Sequence, residues 1–170
     1  MNLNIGDLIL RNVEASDIES VHSFASLEEI CRYQTWGPNS LDDTKNYIAA
    51  AVEEINTFPR QSYNLAVTSS DGSFHGTCGI FLKGNWVAEI GFTLRKESWG
   101  KGIGTKVALA LIDYSIHQLK QLRIIATCDV LNEGSNALLK KVGFKQTEIL
   151  KAHMNIRGRL RDTICYEFTK

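Results

Sequence analysis

The sequence predicts a mixed fold of the α/β (α+β) class, in which a central sheet is flanked by helices. Segments rich in apolar and β-branched residues alternate with stretches whose apolar residues recur at helical spacing. Turn signals in "SSDGS" and "KGN" interrupt the middle of the chain, which favours an antiparallel meander there. A glycine-rich loop, a long apolar helix and a β-branched strand follow, an order typical of a parallel strand-helix-strand crossover.

The first third of the chain predicts one strand and two helices. "DLILRNV" has the apolar content of a strand, and "EASDIESVHSFASLEEICRY" follows as a helix with Ser16 or Asp17 as its cap. "QTWGPNS" breaks the helical pattern. "LDDTKNYIAAAVEEINTF" then indicates a second helix that ends before Pro59.

The remainder predicts the meander, the crossover and a final pair of strands. "SYNLAVTSSDGSFHGTCGIFLKGNWVAEIGFTL" holds two or three strands, and the long helix is expected over residues 103–119. "LRIIATCDV" indicates a buried strand, and "NEGSNALLKKVGF" a short helix capped by Asn132 and ended by Gly143. The last 26 residues predict two strands around a turn at Arg157 and Gly158.

Composition limits the classes of protein and of partner. The 170 residues are 44% hydrophobic and contain no linker-like tract, so a single domain over residues 1–170 is expected. Lysine plus arginine equals aspartate plus glutamate at 19 each, which argues against a nucleic-acid partner. The four cysteines are widely spaced and suit buried thiols better than a metal site. With no leader or membrane-spanning pattern, we expect a cytoplasmic protein without a membrane partner.

The stretch "GKGIG" ahead of the long helix predicts an anion site. Backbone N–H groups at a helix start, together with the helix dipole, bind phosphate groups. A Walker loop is excluded because Lys106 stands between Thr105 and Val107 rather than in a GK[ST] sequence. A dinucleotide fingerprint is also a poor match, since no third glycine follows at the required spacing.

The loop instead resembles the pyrophosphate loop of the GNAT superfamily of acetyl-coenzyme A dependent N-acetyltransferases. Gly102 and Gly104 match its glycines, and the predicted order of strands and helices matches that superfamily over nearly the whole chain. "WGKGIGT", Asn132 with Ser135, and the "KVGF" that follows are most similar to the branch of ribosomal-protein N-terminal acetyltransferases. Trp99 departs from the usual glutamine or arginine, and Leu139 from a tyrosine that serves many members as general acid.

The resemblance implies acetyl-coenzyme A as cosubstrate, and a donor site formed by the strand end and the loop. Backbone groups of the strand would pair with the pantetheine arm, loop amides would bind the pyrophosphate, and Lys101, Arg95, Lys96 or Lys141 would meet the ribose phosphate of the coenzyme. The expected donor-binding residues are Phe92, Thr93, Leu94, Trp99, Gly100, Lys101, Gly102, Ile103, Gly104, Thr105, Asn132 and Lys141.

The same resemblance implies Glu89 as general base and Ser135 as proton donor to the departing thiolate, with Asn132 as a positioning group. From the residues alone, Glu89 lies on the strand face opposite Ala88 and Ile90, which leaves open whether that face is solvent or cleft. Asn132 also suits a plain helix cap, and Ser135 an ordinary residue of the first turn. An acetyl-cysteine route through Cys128 is the less favoured chemistry.

The acceptor is expected to be a primary amine that attacks directly in a ternary complex. A protein N-terminal α-amine is the leading prediction, and a small amine such as a polyamine or an antibiotic is the alternative. A coenzyme-binding domain without activity is the third. Tyr33 and Trp36 are the expected acceptor-binding residues, no metal is expected, and the assembly is predicted to be a monomer or homodimer.

Overall fold

The computed structural model describes residues 1–169 and is built on one eight-stranded sheet. The strands are β1 Asn2–Ile5, β2 Leu8–Asn12, β3 Ser62–Ser69, β4 Phe74–Leu82, β5 Val87–Leu94, β6 Arg123–Asp129, β7 Lys145–Ile156 and β8 Arg159–Thr169. Their order across the sheet is β1-β2-β3-β4-β5-β6-β8-β7. Every neighbouring pair is antiparallel except β5 and β6, which are parallel. The predicted meander and parallel crossover are therefore confirmed.

Five α-helices cover the two faces of this sheet. They are α1 Ile18–Ala25, α2 Glu28–Cys31, α3 Leu41–Glu54, α4 Ile103–His117 and α5 Glu133–Lys141. Alternate residues of β3 separate the faces, because Leu65 and Val67 join a core with α4 and α5 while Ala66 joins a core with α1 and α3. Among residues 1–169, no helix is both long and apolar enough to cross a membrane.

Two elements near the N-terminus differ from the sequence predictions. β1 was not predicted, and it pairs with β2 through a turn in which Gly6 has φ +71°. The predicted first helix is interrupted after α1, because Leu27 is extended and α2 begins only at Glu28. Asp17 contributes to the helix start by accepting a hydrogen bond from the Glu14 amide at 2.8 Å.

The pairing between β5 and β6 is short, and this shapes the molecule. The two strands pair only at Val87 with Arg123, Ala88 with Ile124, and Glu89 with Ile125. Beyond Glu89, β5 continues to its end without pairing to β6, while each strand keeps its antiparallel partner on the other edge. The sheet therefore splits into a fork whose opening lies just beyond Glu89.

Candidate active site

The fork opens into a cleft of about 980 Å³. We call it the fork cleft. It is bounded by the diverging strands β5 and β6, by the segment between α2 and α3, and by the β7–β8 hairpin. Residues from these elements that line it are Tyr33, Trp36, Gly91, Thr127, Cys128 and Met154.

A second cavity, of about 1200 Å³, lies beside the glycine-rich loop. We call it the loop cavity. Of the predicted donor-binding residues, those lining it are Phe92, Thr93, Leu94, Trp99, Gly100, Gly102, Gly104, Thr105, Asn132 and Lys141. Lys101 and Ile103 lie outside this lining, and the Ile103 side chain is buried in the core. Only main-chain groups of Ile103 remain to serve a ligand.

The start of α4 is shaped to present backbone donors to the loop cavity. Gly100 and Gly102 have φ values of +71° and +76°, which other residues adopt only at a cost, and a Cβ on either would meet no atom within 4 Å. Within the described residues, no side chain caps this helix. The first backbone N–H groups of α4 therefore have no capping partner, and they lie at the positive end of the helix dipole.

Two side chains fix the main chain that leads into the glycine-rich loop. The Trp99 indole Nε1 donates to the Leu94 carbonyl at 2.9 Å and so ties the loop to the end of β5. Ser98 is buried, and its hydroxyl lies 3.0 Å from Nδ1 of His75 on β4. Trp99 thus serves as a structural tie here, where the family pattern more often has glutamine or arginine.

Gly104 has a packing function that differs from that of the other two glycines. Its φ is not positive, and an added Cβ would come within 2.7 Å of the Leu138 side chain on α5. The absence of a side chain at Gly104 therefore allows α4 and α5 to approach closely. This keeps Asn132, at the start of α5, beside the loop cavity.

The two cavities meet where the strands diverge. The residues that line both of them are Tyr33, Gln34, Phe92, Thr93, Asn132 and Ser135. A molecule in the loop cavity and a molecule in the fork cleft therefore share one junction. The two predicted residues of α5, Asn132 and Ser135, lie at that junction.

Asn132 and Ser135 are held in place by a helix cap. The Asn132 side chain accepts a hydrogen bond from the Ser135 amide at 3.2 Å, so Asn132 is the N-cap of α5 as predicted. The nearby Cys128 lies at the end of β6. Burial raises the pKa of its thiol to about 12, against a smaller opposing effect of a hydrogen bond with the Ser135 side chain. Cys128 is therefore held as a neutral thiol.

Glu89 lies at the vertex of the fork and lines the fork cleft. Its carboxylate Oε1 accepts a hydrogen bond from Thr127 Oγ1 at 3.3 Å, and its Oε2 lies 2.7 Å from Lys83 Nζ. The side chain is 26% exposed. Strand alternation left open whether Glu89 faces solvent or the cleft, and in the structure it faces the cleft.

The floor of the fork cleft beside Glu89 is made of main chain. Gly91 follows Glu89 on the same strand face and stands opposite Gly79 of β4. Both glycines line the cleft, and a Cβ on Gly91 would meet no atom within 4 Å. Gly91 therefore leaves empty space directly along the path from Glu89 to the junction.

The β7–β8 hairpin reaches across to the opposite rim of the fork cleft. Arg157 at its turn donates hydrogen bonds to the carbonyls of Cys31 at 2.8 Å and Gly37 at 3.0 Å. Tyr33 and Trp36 lie on the chain between these two carbonyls and line the cleft. Trp36 remains 37% exposed. The hairpin thus spans one opening of the cleft and fixes the segment that carries both aromatic side chains.

Several residues that shape the two cavities were not found from the sequence. Arg32 lines the loop cavity, and Lys83 and Thr127 flank Glu89. Asp129 lines the fork cleft and binds Arg161 at 2.9 Å. None of these residues belongs to a motif with a chemical signature, and Thr127 lies two residues beyond Ile125, the residue that pairs with Glu89. Among residues 1–169, no cluster of three metal-ligand side chains is present.

Comparison with known proteins identifies the family. Residues 7–145 match the family model described as the acetyltransferase (GNAT) domain. The chain therefore belongs to the GNAT acetyltransferase family and is an acyltransferase. The predicted membership of the GNAT superfamily is thereby confirmed.

Relatives in sequence and structure agree with this assignment. The chain is 26% identical to the uncharacterised N-acetyltransferase p20 of Bacillus licheniformis, over 96% of this chain and 93% of the relative. The structure of RimL, the ribosomal L7/L12 α-N-protein acetyltransferase, in complex with coenzyme A has a TM-score of 0.89 at 18% identity, covering 99% of this chain and 98% of that one. Spermidine N-acetyltransferase from Vibrio cholerae, solved with coenzyme A and spermine, has a TM-score of 0.83 at 22% identity, covering 96% and 95%. Both structures share the fold.

Proposed function

We propose that this acyltransferase moves an acetyl group from acetyl-coenzyme A to a primary amine by direct attack in a ternary complex. The observation that supports this most is the junction, where the loop cavity and the fork cleft share their lining. A donor and an acceptor bound in separate cavities then meet at one place. Holding both reactants in this way removes much of the entropic barrier to their reaction.

The loop cavity is the proposed donor site. Amides at the start of α4 bind the pyrophosphate, and the unpaired edge of β5 beyond Glu89 pairs with the pantetheine arm. Arg32 and Lys141 line the same cavity and supply positive charge for a phosphate group. The coenzyme contributes the activated thioester, which then lies at the junction.

The environment of Cys128 supports direct transfer over an acetyl-cysteine intermediate. The thiolate is the nucleophilic form of cysteine, and a thiol pKa of about 12 leaves almost none of it at neutral pH. The acceptor amine therefore attacks the thioester carbonyl itself. The carbon–nitrogen bond forms as the carbon–sulfur bond breaks.

Proton transfers complete the proposed reaction. The acceptor ammonium must lose a proton before it attacks, and Glu89 at the fork accepts it, directly or through a water molecule. The Ser135 hydroxyl at the junction protonates the departing thiolate, and the second proton that the attacking nitrogen loses on becoming an amide restores that hydroxyl. Asn132 holds Ser135 through the cap of α5.

The charges of the fork cleft favour an α-amine over a polyamine. Three carboxylates line it, but Glu89 is paired with Lys83 and Asp129 with Arg161. Within residues 1–169, only Asp43 lines it without a cationic partner, and hydrogen bonds from the Ser40 side chain and backbone lower the pKa of that carboxyl. A polyamine carries several positive charges and would need more free carboxylates. A single ammonium of a peptide N-terminus fits the available charge better.

A panel of acceptors tests this function. We expect acetyl transfer to peptides with a free N-terminus, with loss of turnover when the α-amine is blocked by formylation. Spermidine and an aminoglycoside are the alternative acceptors, and faster turnover with spermidine would replace the α-amine proposal. Binding of acetyl-coenzyme A without turnover of any amine would instead indicate an inactive coenzyme-binding domain.

A further inference from the structure

The Lys83 ammonium is paired with the Glu89 carboxylate, the group proposed as the base of the reaction. Its Nζ lies 2.7 Å from Oε2 of Glu89, while the other oxygen accepts a hydrogen bond from Thr127. Among the described residues that line the fork cleft, Lys83 is the only lysine or arginine. The candidate base therefore already holds a primary ammonium, and that ammonium comes from the protein itself.

The geometry of Lys83 allows its ammonium to leave. Its backbone is fixed in the β4–β5 turn, because the Lys83 amide donates to the Val87 carbonyl at 2.9 Å. Its side chain is 47% exposed and hangs from this fixed point by four methylene groups. An ion pair of this exposure is weak, since solvent screens it and the long side chain loses rotamer freedom on pairing. A competing ammonium can displace it.

We propose that the Lys83 ammonium occupies the place of the acceptor ammonium at Glu89 and must be displaced before the acceptor can bind there. We call Lys83 in this position the stand-in. This inference rests on the proposed function and deepens it. The Lys83 side chain ends in a primary ammonium, the group that an acceptor amine also presents. The stand-in keeps Glu89 charge-compensated between turnovers and raises the acceptor concentration needed for half-maximal rate.

An acceptor-independent measurement tests the displacement. Lys83 is labelled with an amine-reactive succinimidyl ester and quantified by peptide mass spectrometry relative to Lys151 in the same sample. Lys151 is a matched reference, because its Nζ also lies 2.7 Å from a carboxylate, that of Asp162, and it does not line the fork cleft. Butylamine serves as the displacing probe, and tetramethylammonium, which has no N–H group, as its control.

We expect butylamine to raise the labelling of Lys83 relative to Lys151 about threefold or more, and tetramethylammonium to leave it unchanged. Glu89→Gln raises Lys83 labelling to the same level without butylamine. Equal labelling in the wild type and in Glu89→Gln, or no response to butylamine, overturns the proposal whether or not the protein has activity.

Kinetics separate this inference from the proposed function. With an active peptide acceptor, Lys83→Met lowers the acceptor KM about three- to fivefold, which is the factor that a weak ion pair provides. The KM for acetyl-coenzyme A and the thermal midpoint are expected to stay unchanged, and Lys151→Met leaves both KM values unchanged. Turnover in the wild type with an unchanged acceptor KM in Lys83→Met refutes the stand-in but leaves the acetyltransferase proposal intact. Absence of turnover with every amine refutes the proposed function, and the labelling result then decides on its own whether an amine displaces Lys83 from Glu89.

Discussion

The loop cavity and the fork cleft are built in different ways. The part of the loop cavity proposed to bind phosphate is main chain from one continuous stretch, the end of β5 and the glycine-rich start of α4, although residues from the α2 and α5 regions also line this cavity. The fork cleft combines a main-chain floor with side chains from distant parts of the sequence, and the paired charges of Glu89 and Lys83 lie within it. A site made of backbone depends on conformation, whereas a site made of side chains depends on residue identity.

This difference predicts that substitutions in the two regions have separable effects. Changes that alter backbone conformation at the start of α4 should weaken binding of the donor but not of the acceptor. Changes that fill the fork cleft or remove its charged side chains should slow acetyl transfer without weakening coenzyme binding. A substitution that impaired both equally would show that the two cavities are one unit.

Filling the floor of the fork cleft is expected to have the largest effect. Gly91→Val introduces a side chain into space where a Cβ meets no atom within 4 Å, and valine suits a strand, so folding is retained. Obstruction next to Glu89 should lower kcat/KM for an amine acceptor by at least about 100-fold, because displacement of about 1 Å at a reacting centre has effects of that order. Steady-state kinetics and thermal unfolding measure the two quantities. Gln146→Val, at an exposed position of β7 outside both cavity linings, is the control that leaves transfer unaffected, and retained activity in Gly91→Val would remove the fork cleft from the acceptor path.

Removing the candidate base is expected to be next in size. Glu89→Gln keeps the shape of the side chain but cannot take up the proton, and loss of a general base lowers the rate by about 100-fold or more. The loss should be larger for a lysine-type amine of pKa about 10 than for an α-amine of pKa about 8, because less of the former is neutral at pH 7. Initial rates with both acceptors, measured from about pH 6.5 to about pH 9.5 so that the range lies around these two pKa values, test this difference. Glu148→Gln on β7, outside both cavity linings, is the control, and an equal loss there would assign the effect to charge alone.

A conformational change in the glycine-rich loop should have a moderate effect, limited to the donor. Gly102→Ala places a Cβ at φ +76°, which costs about 1–2 kcal/mol and corresponds to roughly a tenfold weaker Kd for coenzyme A if the loop relaxes. Isothermal titration calorimetry measures it. Gly72→Ala is closely matched, with φ +85° and open space around the Cβ, but it lies outside both cavity linings. It should cost stability without changing the Kd, and a tight Gly102→Ala complex would contradict the role of the loop.

Releasing the β7–β8 hairpin is expected to have the smallest effect. Arg157→Met removes the hydrogen bonds to the carbonyls of Cys31 and Gly37, so the segment with Tyr33 becomes less ordered. The acceptor KM should rise about three- to tenfold, because ordering that segment on binding costs roughly 1 kcal/mol. The Kd for coenzyme A should rise less than the acceptor KM, because of this segment only Arg32, Tyr33 and Gln34 line the loop cavity. An acceptor KM equal to that of the wild type would leave the hairpin with no part in acceptor binding.

The same difference explains what the sequence could predict. Glycines before an apolar helix and Asn132 before a short one are local signals, and both lie where the loop and the cap were expected. Lys83 could not be paired with Glu89 in advance, because the pairing depends on how the β4–β5 turn directs a flexible side chain. The bond from Arg157 to Cys31 joins residues 126 positions apart, and no local pattern encodes it.

Two structural features near the N-terminus escaped prediction for a related reason. β1 alternates asparagine with leucine and isoleucine, but it is only four residues long, and it is stabilised by pairing with β2. α2 ends at Cys31, so Tyr33, at the end of the predicted first helix, lies on the same loop as Trp36. This loop carries Tyr33 and Trp36, the expected acceptor-binding residues.

The central claim is that the loop cavity binds coenzyme A. Calorimetric titration of the purified protein with acetyl-coenzyme A tests it most directly, with desulfo-coenzyme A and NADH as comparison ligands. We expect binding of both coenzyme A species in the micromolar range and no binding of NADH, which shares phosphate and adenine groups but has no pantetheine arm to pair with β5. No binding of acetyl-coenzyme A, or equal binding of NADH, would contradict it.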